Sequence, residues 1–215
     1  MSINDHQEAA MYAWIMDFNL RGSGEAAERF LISMIREWPP RYEKVSGVIG
    51  VSFFGNAFGL AGEHSFRMVV DMKSLDTLSA IDKMFKSDAG ARRAMNEFRG
   101  TRSDIKSRLL KQQDGGDVIS QTVNKASDPG FVYAFTASPK TDVDTLRKAK
   151  MGSRKQAIYA PIVQSAAAQG PETWATVTGL DDLEDVALVA NKIGSESSQL
   201  FASFRVVDGS LLSAA

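Results

Sequence analysis

The chain alternates between short strand-like segments, in which every second residue is apolar, and stretches of helical spacing. Residues 12–20 form the first strand-like segment, and one of its faces is far more hydrophobic than the other. Residues 23–37 follow with apolar side chains at helical spacing, and Pro39 and Pro40 end this predicted helix because proline cannot continue its hydrogen bonds. The chain therefore opens with a predicted strand and a predicted helix.

The next segments continue this alternation. Residues 45–60 predict a long strand that its glycines bend or bulge, and 64–72 predict its hairpin partner. A helix is predicted over 75–85, and a second, strongly basic helix over 88–110. A short strand over 118–123 would complete the first sheet.

The second half of the chain repeats the first in a shortened form. The elements predicted there are a strand at 131–138, a helix at 141–150, a strand at 173–179, a helix at 181–193 and a strand at 204–207, with 151–170 left open between strand and helix. A run of turn-forming residues at 126–130 separates the halves. We therefore expect two units, 1–126 and 127–215, of which the second is shorter and degraded.

Composition narrows the classes of function. The 215 residues are 44% hydrophobic and 24% charged, as in ordinary globular proteins. The absence of cysteine excludes disulfides, iron–sulfur clusters and thiolate metal sites, and two histidines, His6 and His64, are too few for a zinc site of several imidazoles. A net charge of −1 gives no indication of a nucleic-acid partner.

The chain also lacks the signals of membrane insertion and secretion. Its longest apolar stretches are shorter than a membrane-spanning helix requires, and its first residues are acidic and polar rather than basic and then apolar. We therefore expect a cytoplasmic protein without a membrane partner.

Each half has the order β-α-β-β-α-β, and strand 64–72 is followed by Ser74-Leu75-Asp76-Thr77-Leu78. This pattern resembles the dimeric α/β-barrel superfamily, which includes NIPSNAP-like, EthD-like and antibiotic-biosynthesis-monooxygenase-like families, and it covers nearly all of the chain. The resemblance implies an α+β fold in which two tandem ferredoxin-like units form an α/β barrel with antiparallel sheets. It also implies a homodimer as a further expectation.

Members of this superfamily include cofactor-independent oxygenases, isomerases and lyases as well as haem-dependent enzymes, so the fold does not choose a reaction. The haem-dependent, chlorite-dismutase-like branch carries its proximal histidine in the second half, whereas residues 127–215 contain no histidine. We therefore expect neither a cofactor nor a metal, unless His64 supplies an unconventional ligand.

Strand alternation directs one carboxylate and one guanidinium towards the predicted barrel interior. If the more hydrophobic face of 12–20 packs against helices, Asp17 points inward, and Arg67 does so by the same alternation. Asp17 would then act as a general base, Arg67 would hold a developing negative charge, and His64 at the barrel mouth would be a second acid or base. The alternatives are a structural ion pair between Asp17 and Arg67 and a solvent-exposed His64.

The same reasoning predicts a substrate-binding surface around these groups. It combines polar and aromatic side chains, namely Asn19, Ser52, Phe54, Asn56, Asp71, Tyr133 and Trp174. Four aromatic residues on strands are candidates for stacking on an aromatic ligand, namely Trp14, Phe54, Tyr133 and Trp174, and the alternative is that they form an ordinary core.

We therefore expect a cofactor-independent lyase, isomerase or oxygenase that acts on a small apolar or aromatic metabolite in the barrel cavity by general acid–base chemistry. The alternative is a non-catalytic small-molecule-binding or assembly protein on the same scaffold. The two hypotheses differ at the polar lining, because the enzyme needs Asp17 and Arg67 to face an open cavity. A binding protein tolerates these two side chains paired with each other.

Overall fold

The computed structural model describes residues 11–21, 24–57, 64–124, 131–149, 156–163, 170–177 and 180–203. The first half contains, in chain order, β1 (Tyr12–Leu20), α1 (Glu25–Arg36), α2 (Trp38–Glu43), β2 (Val48–Asn56), β3 (Phe66–Met72), α3 (Asp76–Ser87), α4 (Ala89–Glu97) and β4 (Arg102–Gln112). After α5 (Ile119–Asn124), the second half contains β5 (Phe131–Ala137), α6 (Val143–Lys148), β6 (Gln156–Val163), β7 (Glu172–Val177), α7 (Leu180–Ile193) and β8 (Ser195–Ser203). Among these described helices, none has the length and apolar character needed to cross a membrane.

The eight strands form one antiparallel sheet in the order β1-β3-β2-β8-β5-β7-β6-β4, and β4 pairs with β1 so that the ring of strands closes. The order within the first half is β4-β1-β3-β2, and within the second it is β8-β5-β7-β6, so equivalent strands take equivalent places. The halves meet along two short seams, β2 with β8 and β4 with β6. The predicted α+β class with antiparallel strands is confirmed.

Two elements predicted in the first half are wrong. The basic helix expected over 88–110 is α4, a turn and then β4. Asp88 caps α4 by accepting hydrogen bonds from the amides of Gly90 and Ala91, and α4 ends before β4 pairs with β1. Basic side chains suit the exposed face of a strand as well as that of a helix, so the basic composition of 88–110 does not distinguish the two. The strand expected over 118–123 is the helix α5, and β4 supplies the fourth strand instead.

The remaining differences concern helix α2 and the bounds of strands. Pro39 and Pro40 were expected only to end a helix, but they lie in the first turn of α2, where the missing N–H of proline needs no partner. The strand predicted over 45–60 begins at Val48, and its last residues lie outside the described part of the chain. The open stretch 151–170 contains β6, in which Pro161 pairs with Leu110 of β4. The closing strand of the second half is β8, whereas the predicted segment 204–207 lies outside the described residues.

Apolar side chains form three layers on this framework. The first layer lies between the strands of the first half and α1 to α4, and it is rich in aromatic residues such as Phe18, Phe30 and Trp38. The second layer fills the barrel interior and includes Phe54 and Trp174. The third lies beneath α6 and α7 on the opposite side. Each strand therefore serves an inner and an outer core at once.

Helix α5 closes one end of the barrel. It contacts strands of both halves, β2 and β3 as well as β6 and β7, and its residue Ile119 belongs to the interior layer. The helix approaches β2 so closely that a Cβ atom on Gly50 would lie 2.5 Å from Oγ of Ser120. Gly50 therefore permits the contact that seals this end.

Candidate functional site

The interior of the barrel holds the predicted carboxylate and guanidinium. Asp17 of β1 lies directly opposite Arg67 of β3 in the antiparallel register, and both side chains are buried. Tyr12, Trp14, Met16, Phe18 and Leu20 pack on the helix side, as strand alternation predicts. The inward orientation of Asp17 and Arg67 is therefore confirmed.

Asp17 and Arg67 belong to a longer row of alternating charges, which we call the charge chain and which runs Arg67–Asp17–Arg108–Glu172. Both Arg67 and Arg108 form ion pairs with Asp17, and Nη2 of Arg67 donates to Oδ2 of Asp17 at 3.1 Å. Nε of Arg108 donates in turn to Oε1 of Glu172 at 2.5 Å. Two buried carboxylates thus alternate with two guanidiniums, and the sequence analysis missed Arg108 and Glu172. Arg108 lies in a segment predicted as a helix, and Glu172 lies one residue before the predicted strand 173–179, so strand alternation was applied to neither.

Polar and aromatic side chains contact Arg67 and Glu172, the two ends of this charge chain. Nη2 of Arg67 donates to Oε1 of Gln199 at 3.0 Å, and its guanidinium lies 4.5 Å from the ring centroid of Phe201 and 5.1 Å from that of Trp174. Nε1 of Trp174 donates to Oε2 of Glu172 at 3.3 Å. Cation–π contacts of this kind stabilise a desolvated guanidinium.

The electrostatics of Asp17 oppose the role of a general base. Burial alone would raise the pKa of Asp17, but the charges and hydrogen bonds of Arg67 and Arg108 outweigh it and lower the pKa to about 2. A general base works best when its pKa lies near the operating pH. The structural ion pair, the alternative considered for Asp17 and Arg67, describes this geometry.

Asp71, predicted to bind substrate, instead holds helix α5. Its buried carboxylate accepts hydrogen bonds from the Ser120 amide at 2.6 Å and from the Tyr159 hydroxyl at 3.4 Å. The Tyr159 oxygen accepts another from the amide of Ile119 at 3.2 Å. Burial raises the pKa of Asp71 to about 6, although the hydrogen bonds with Ser120 and Tyr159 act in the opposite direction.

His64 and Asn19 lie away from the charge chain. His64 is 8% exposed, so the solvent-exposed alternative is wrong, and its Nε2 donates to the backbone carbonyl of Asp104 at 2.7 Å. Oδ1 of Asn19 accepts a hydrogen bond from the Ser65 amide at 2.7 Å. Asn19 of β1 thus holds the segment 64–65 that leads into β3, and His64 links this segment to β4.

The other predicted binding residues divide between two layers. Phe54 and Trp174 belong to the interior layer, with ring centroids 5.7 Å apart, and Ser52 is buried on the same strand as Phe54. Asn56 follows on that strand and is half-buried. Tyr133 packs in the third layer on the outer face of β5, so its predicted place in the interior lining is wrong. Its neighbours on β5, Val132 and Ala134, point inward instead.

Large side chains fill the interior around the charge chain. Ile15, Phe54, Tyr159, Trp174 and Phe201 are at most 1% exposed, and the rings of Trp174 and Phe201 stack with centroids 6.0 Å apart. The predicted open barrel cavity is therefore occupied by side chains in the part that the structure describes.

A cavity of about 140 Å³ lies instead on the helix side of the first half, and we call it the helix-side cavity. It is enclosed by β1, β3 and β4 on one side and by α1 to α4 on the other. Its lining comprises six aromatic residues, four methionines, one alanine and one arginine, namely Trp14, Phe30, Trp38, Tyr42, Phe85, Phe98, Met16, Met34, Met68, Met95, Ala94 and Arg102. Among these, Met95 is exposed, and four others are half-buried, namely Trp14, Met16, Phe85 and Arg102.

Arg102 brings the one charged side chain to this lining. Its Nη1 lies 3.2 Å from Sδ of Met16, and its guanidinium lies 5.9 Å from the ring centroid of Phe30. Its buried Nε has no hydrogen-bond partner among the described residues. Burial lowers the pKa of Arg102, and the Tyr42 hydroxyl acts on it in the opposite direction.

A β-bulge explains why Arg102 and Arg108 face opposite sides of the same strand. Six residues apart, they would share a face in a regular strand. The pairing of β4 with β1 shifts register between Asp17 and Asn19, and Asp104 in that stretch adopts a left-handed φ of 51°. The extra residue reverses the alternation, so Arg108 points into the barrel and Arg102 points towards the helices.

A wider cleft of about 650 Å³ lies on the surface between α1, α2 and α3. Its lining is dominated by charged side chains such as Arg36, Lys44 and Lys83, most of them exposed. Arg41 in this cleft already pairs with Asp88 at 2.8 Å. The cleft therefore lacks the enclosure of the helix-side cavity.

The residues present do not fit a haem. The second half contains no histidine, His64 already donates its Nε2 hydrogen, and the helix-side cavity is far smaller than a haem macrocycle. Among the described residues, no group of three or more His, Asp or Glu side chains is placed to hold a metal ion.

No family model and no curated protein matches the sequence. Solved structures match the fold: an anthrone oxidase-like protein gives a TM-score of 0.55 at 10% identity over 93% of both chains. Chlorite dismutase from Candidatus Nitrospira defluvii, in complex with imidazole, gives a TM-score of 0.53 at 12% identity over 90% of both chains. At such low identity the likeness establishes the fold alone. The chain therefore shares the ferredoxin-like α/β fold of these proteins, without support for a NIPSNAP-like or monooxygenase-like family.

Proposed function

We propose that the protein binds a small aromatic or apolar molecule in the helix-side cavity. The observation that carries this proposal is the cavity itself, about 140 Å³ lined by six aromatic and four methionine side chains. An engineered apolar cavity of about 150 Å³ in another protein binds benzene, so this volume suits a single substituted aromatic ring. An empty cavity of this size would cost about 3 kcal/mol of stability, which a ligand would offset.

The buried ion pairs favour a binding protein over the predicted acid–base enzyme. Asp17 is engaged by both Arg67 and Arg108, and its low pKa makes it a weak base. Packed side chains surround it, whereas the enzyme hypothesis needs an open cavity at this point. We therefore propose the non-catalytic alternative, with the ligand on the helix side instead of inside the barrel. The catalytic roles of Asp17, Arg67 and His64 stay predictions.

We further propose that the two halves are a tandem duplication of one ferredoxin-like unit. The equivalent strand orders of the halves support this proposal. The homodimer stays a prediction from the superfamily resemblance.

An NMR titration with toluene tests the proposed function. The matched variants are Ala94→Leu, which fills the cavity, and Ala89→Leu, which makes the same change at an exposed site on the same helix. We expect toluene to shift the indole signals of Trp14 and Trp38 in the wild type and in Ala89→Leu. Ala94→Leu should weaken binding at least about tenfold, since the added methyl groups occupy the ligand volume. Absence of toluene binding by the wild type, or equal binding by Ala94→Leu, would contradict the proposal.

A further inference from the structure

We infer that the molecule bound in the helix-side cavity carries a carboxylate, and that Arg102 holds this carboxylate. The inference rests on the proposed function, because it names the chemical class of ligand for the same cavity. It also assigns a binding role to a residue that has no place in the charge chain of the barrel.

First, the guanidinium of Arg102 has hydrogen-bond donors without a good acceptor among the described residues. A guanidinium presents five N–H donors, and a buried donor without an acceptor costs free energy. Nε of Arg102 is buried without a partner among the described residues, and Nη1 faces only the weakly accepting Sδ of Met16 at 3.2 Å. A planar anion in the cavity would supply the missing acceptors.

Second, the positive charge of Arg102 is not balanced by a carboxylate in the cavity lining. The other residues that line the cavity are aromatic, methionine or alanine, so none of them carries a carboxylate to balance Arg102. Guanidinium and carboxylate groups match in a planar, bidentate geometry, which makes a carboxylate the anion that this fork recognises best. The phenol of Tyr42 lines the same cavity and interacts electrostatically with Arg102, so it is a second polar group on that side.

Third, Arg102 and the apolar residues of the lining differ in their exposure to solvent. Arg102 lines the cavity and is partly exposed to solvent, whereas Phe30, Met34 and Phe98 of the same lining are nearly fully buried. An aromatic ring would occupy the deep apolar part while its carboxylate lies beside Arg102 near solvent. This arrangement desolvates the ring completely and the charged group only in part.

Benzoate and benzamide test the inference, because they have nearly the same shape and differ in charge. Calorimetric titration at pH 7 should show that the wild type binds benzoate at least about tenfold more tightly than benzamide. Arg102→Gln should lose this preference, with benzoate binding weakened about tenfold or more and benzamide binding changed less than about twofold. Benzamide binding also reports that the variant is folded.

The outcomes separate the inference from the proposed function. Equal affinities for benzoate and benzamide in both the wild type and Arg102→Gln would overturn the role of Arg102 and leave the proposed function standing. Failure of both probes, together with toluene, would overturn the proposed function and the inference with it. A benzoate preference that persists in Arg102→Gln would place the carboxylate on another group and would also overturn the inference.

Discussion

Arg108 and Arg102 lie on the same strand, six residues apart, but their surroundings are opposite. Arg108 points into the barrel, where Asp17 and Glu172 neutralise it and large side chains fill the remaining space. Arg102 points towards the helices, where a cavity lies beside it and its Nε has no partner in the described part of the chain. Burial of a charge therefore does not by itself mark a binding site. A buried donor without an internal partner is the better indication of such a site, because it leaves hydrogen-bonding capacity for a ligand.

The largest expected effect comes from removing the partnered guanidinium. Arg108→Met leaves Glu172 buried without its ion-pair partner, and breaking a buried pair in this way costs about 3 to 5 kcal/mol of unfolding free energy. Urea denaturation followed by fluorescence measures the loss. Arg147→Met is the control, because Arg147 forms an exposed pair with Asp144 whose removal should cost less than about 1 kcal/mol. Equal losses in the two variants would mean that the interior charge chain contributes no more than a surface pair.

A smaller effect is expected at the closed end of the barrel. The pKa of Asp71 is about 6 in the folded protein, above the value of about 3.9 for an unperturbed aspartate. The folded state therefore binds this proton more tightly, so the contribution of Asp71 to stability is fully present below about pH 4 and is lost as the pH rises through 6. Asp71→Asn should remove that dependence. The unfolding free energy of wild type minus variant should fall by about 2 kcal/mol between pH 4.5 and pH 8. A difference that is constant across this range would show that burial does not raise the pKa of Asp71 in the folded protein.

The smallest effect is expected from removing the unpartnered guanidinium. Arg102→Met deletes a charge that has no carboxylate partner among the described residues, so the unfolding free energy should change by less than about 1 kcal/mol, in either direction. The same urea denaturation as for Arg108→Met provides the comparison. A loss as large as that of Arg108→Met would mean that Arg102 has a structural role, and the contrast between the two arginines would fail.

The sequence predicts those features that depend on local alternation. The inward placement of Asp17 and Arg67 follows from the period of two in β1 and β3, and so does the packing of every second residue from Tyr12 to Leu20 against the helices. The order of elements in each half likewise indicates the ferredoxin-like arrangement.

The helix-side cavity and the place of Arg102 beside it could not be predicted from local alternation. The basic stretch that contains Arg102 fits a helix as well as a strand, and a bulge at Asp104 reverses the alternation that would place Arg102. The volume of the helix-side cavity depends on how α1 to α4 dock on the sheet, which no local pattern specifies. Trp14 was considered for ligand contact from its aromatic character alone, and it lines this cavity.

We expect a small aromatic carboxylate to bind on the helix side of the first half. A crystal structure of the protein with 4-bromobenzoate, in which anomalous scattering locates the bromine, tests this expectation. We expect the bromine inside the helix-side cavity, with the carboxylate within hydrogen-bond distance of Arg102. Bromine inside the barrel beside Asp17 and Arg108, or no ordered bromine at saturating concentration, would contradict the account.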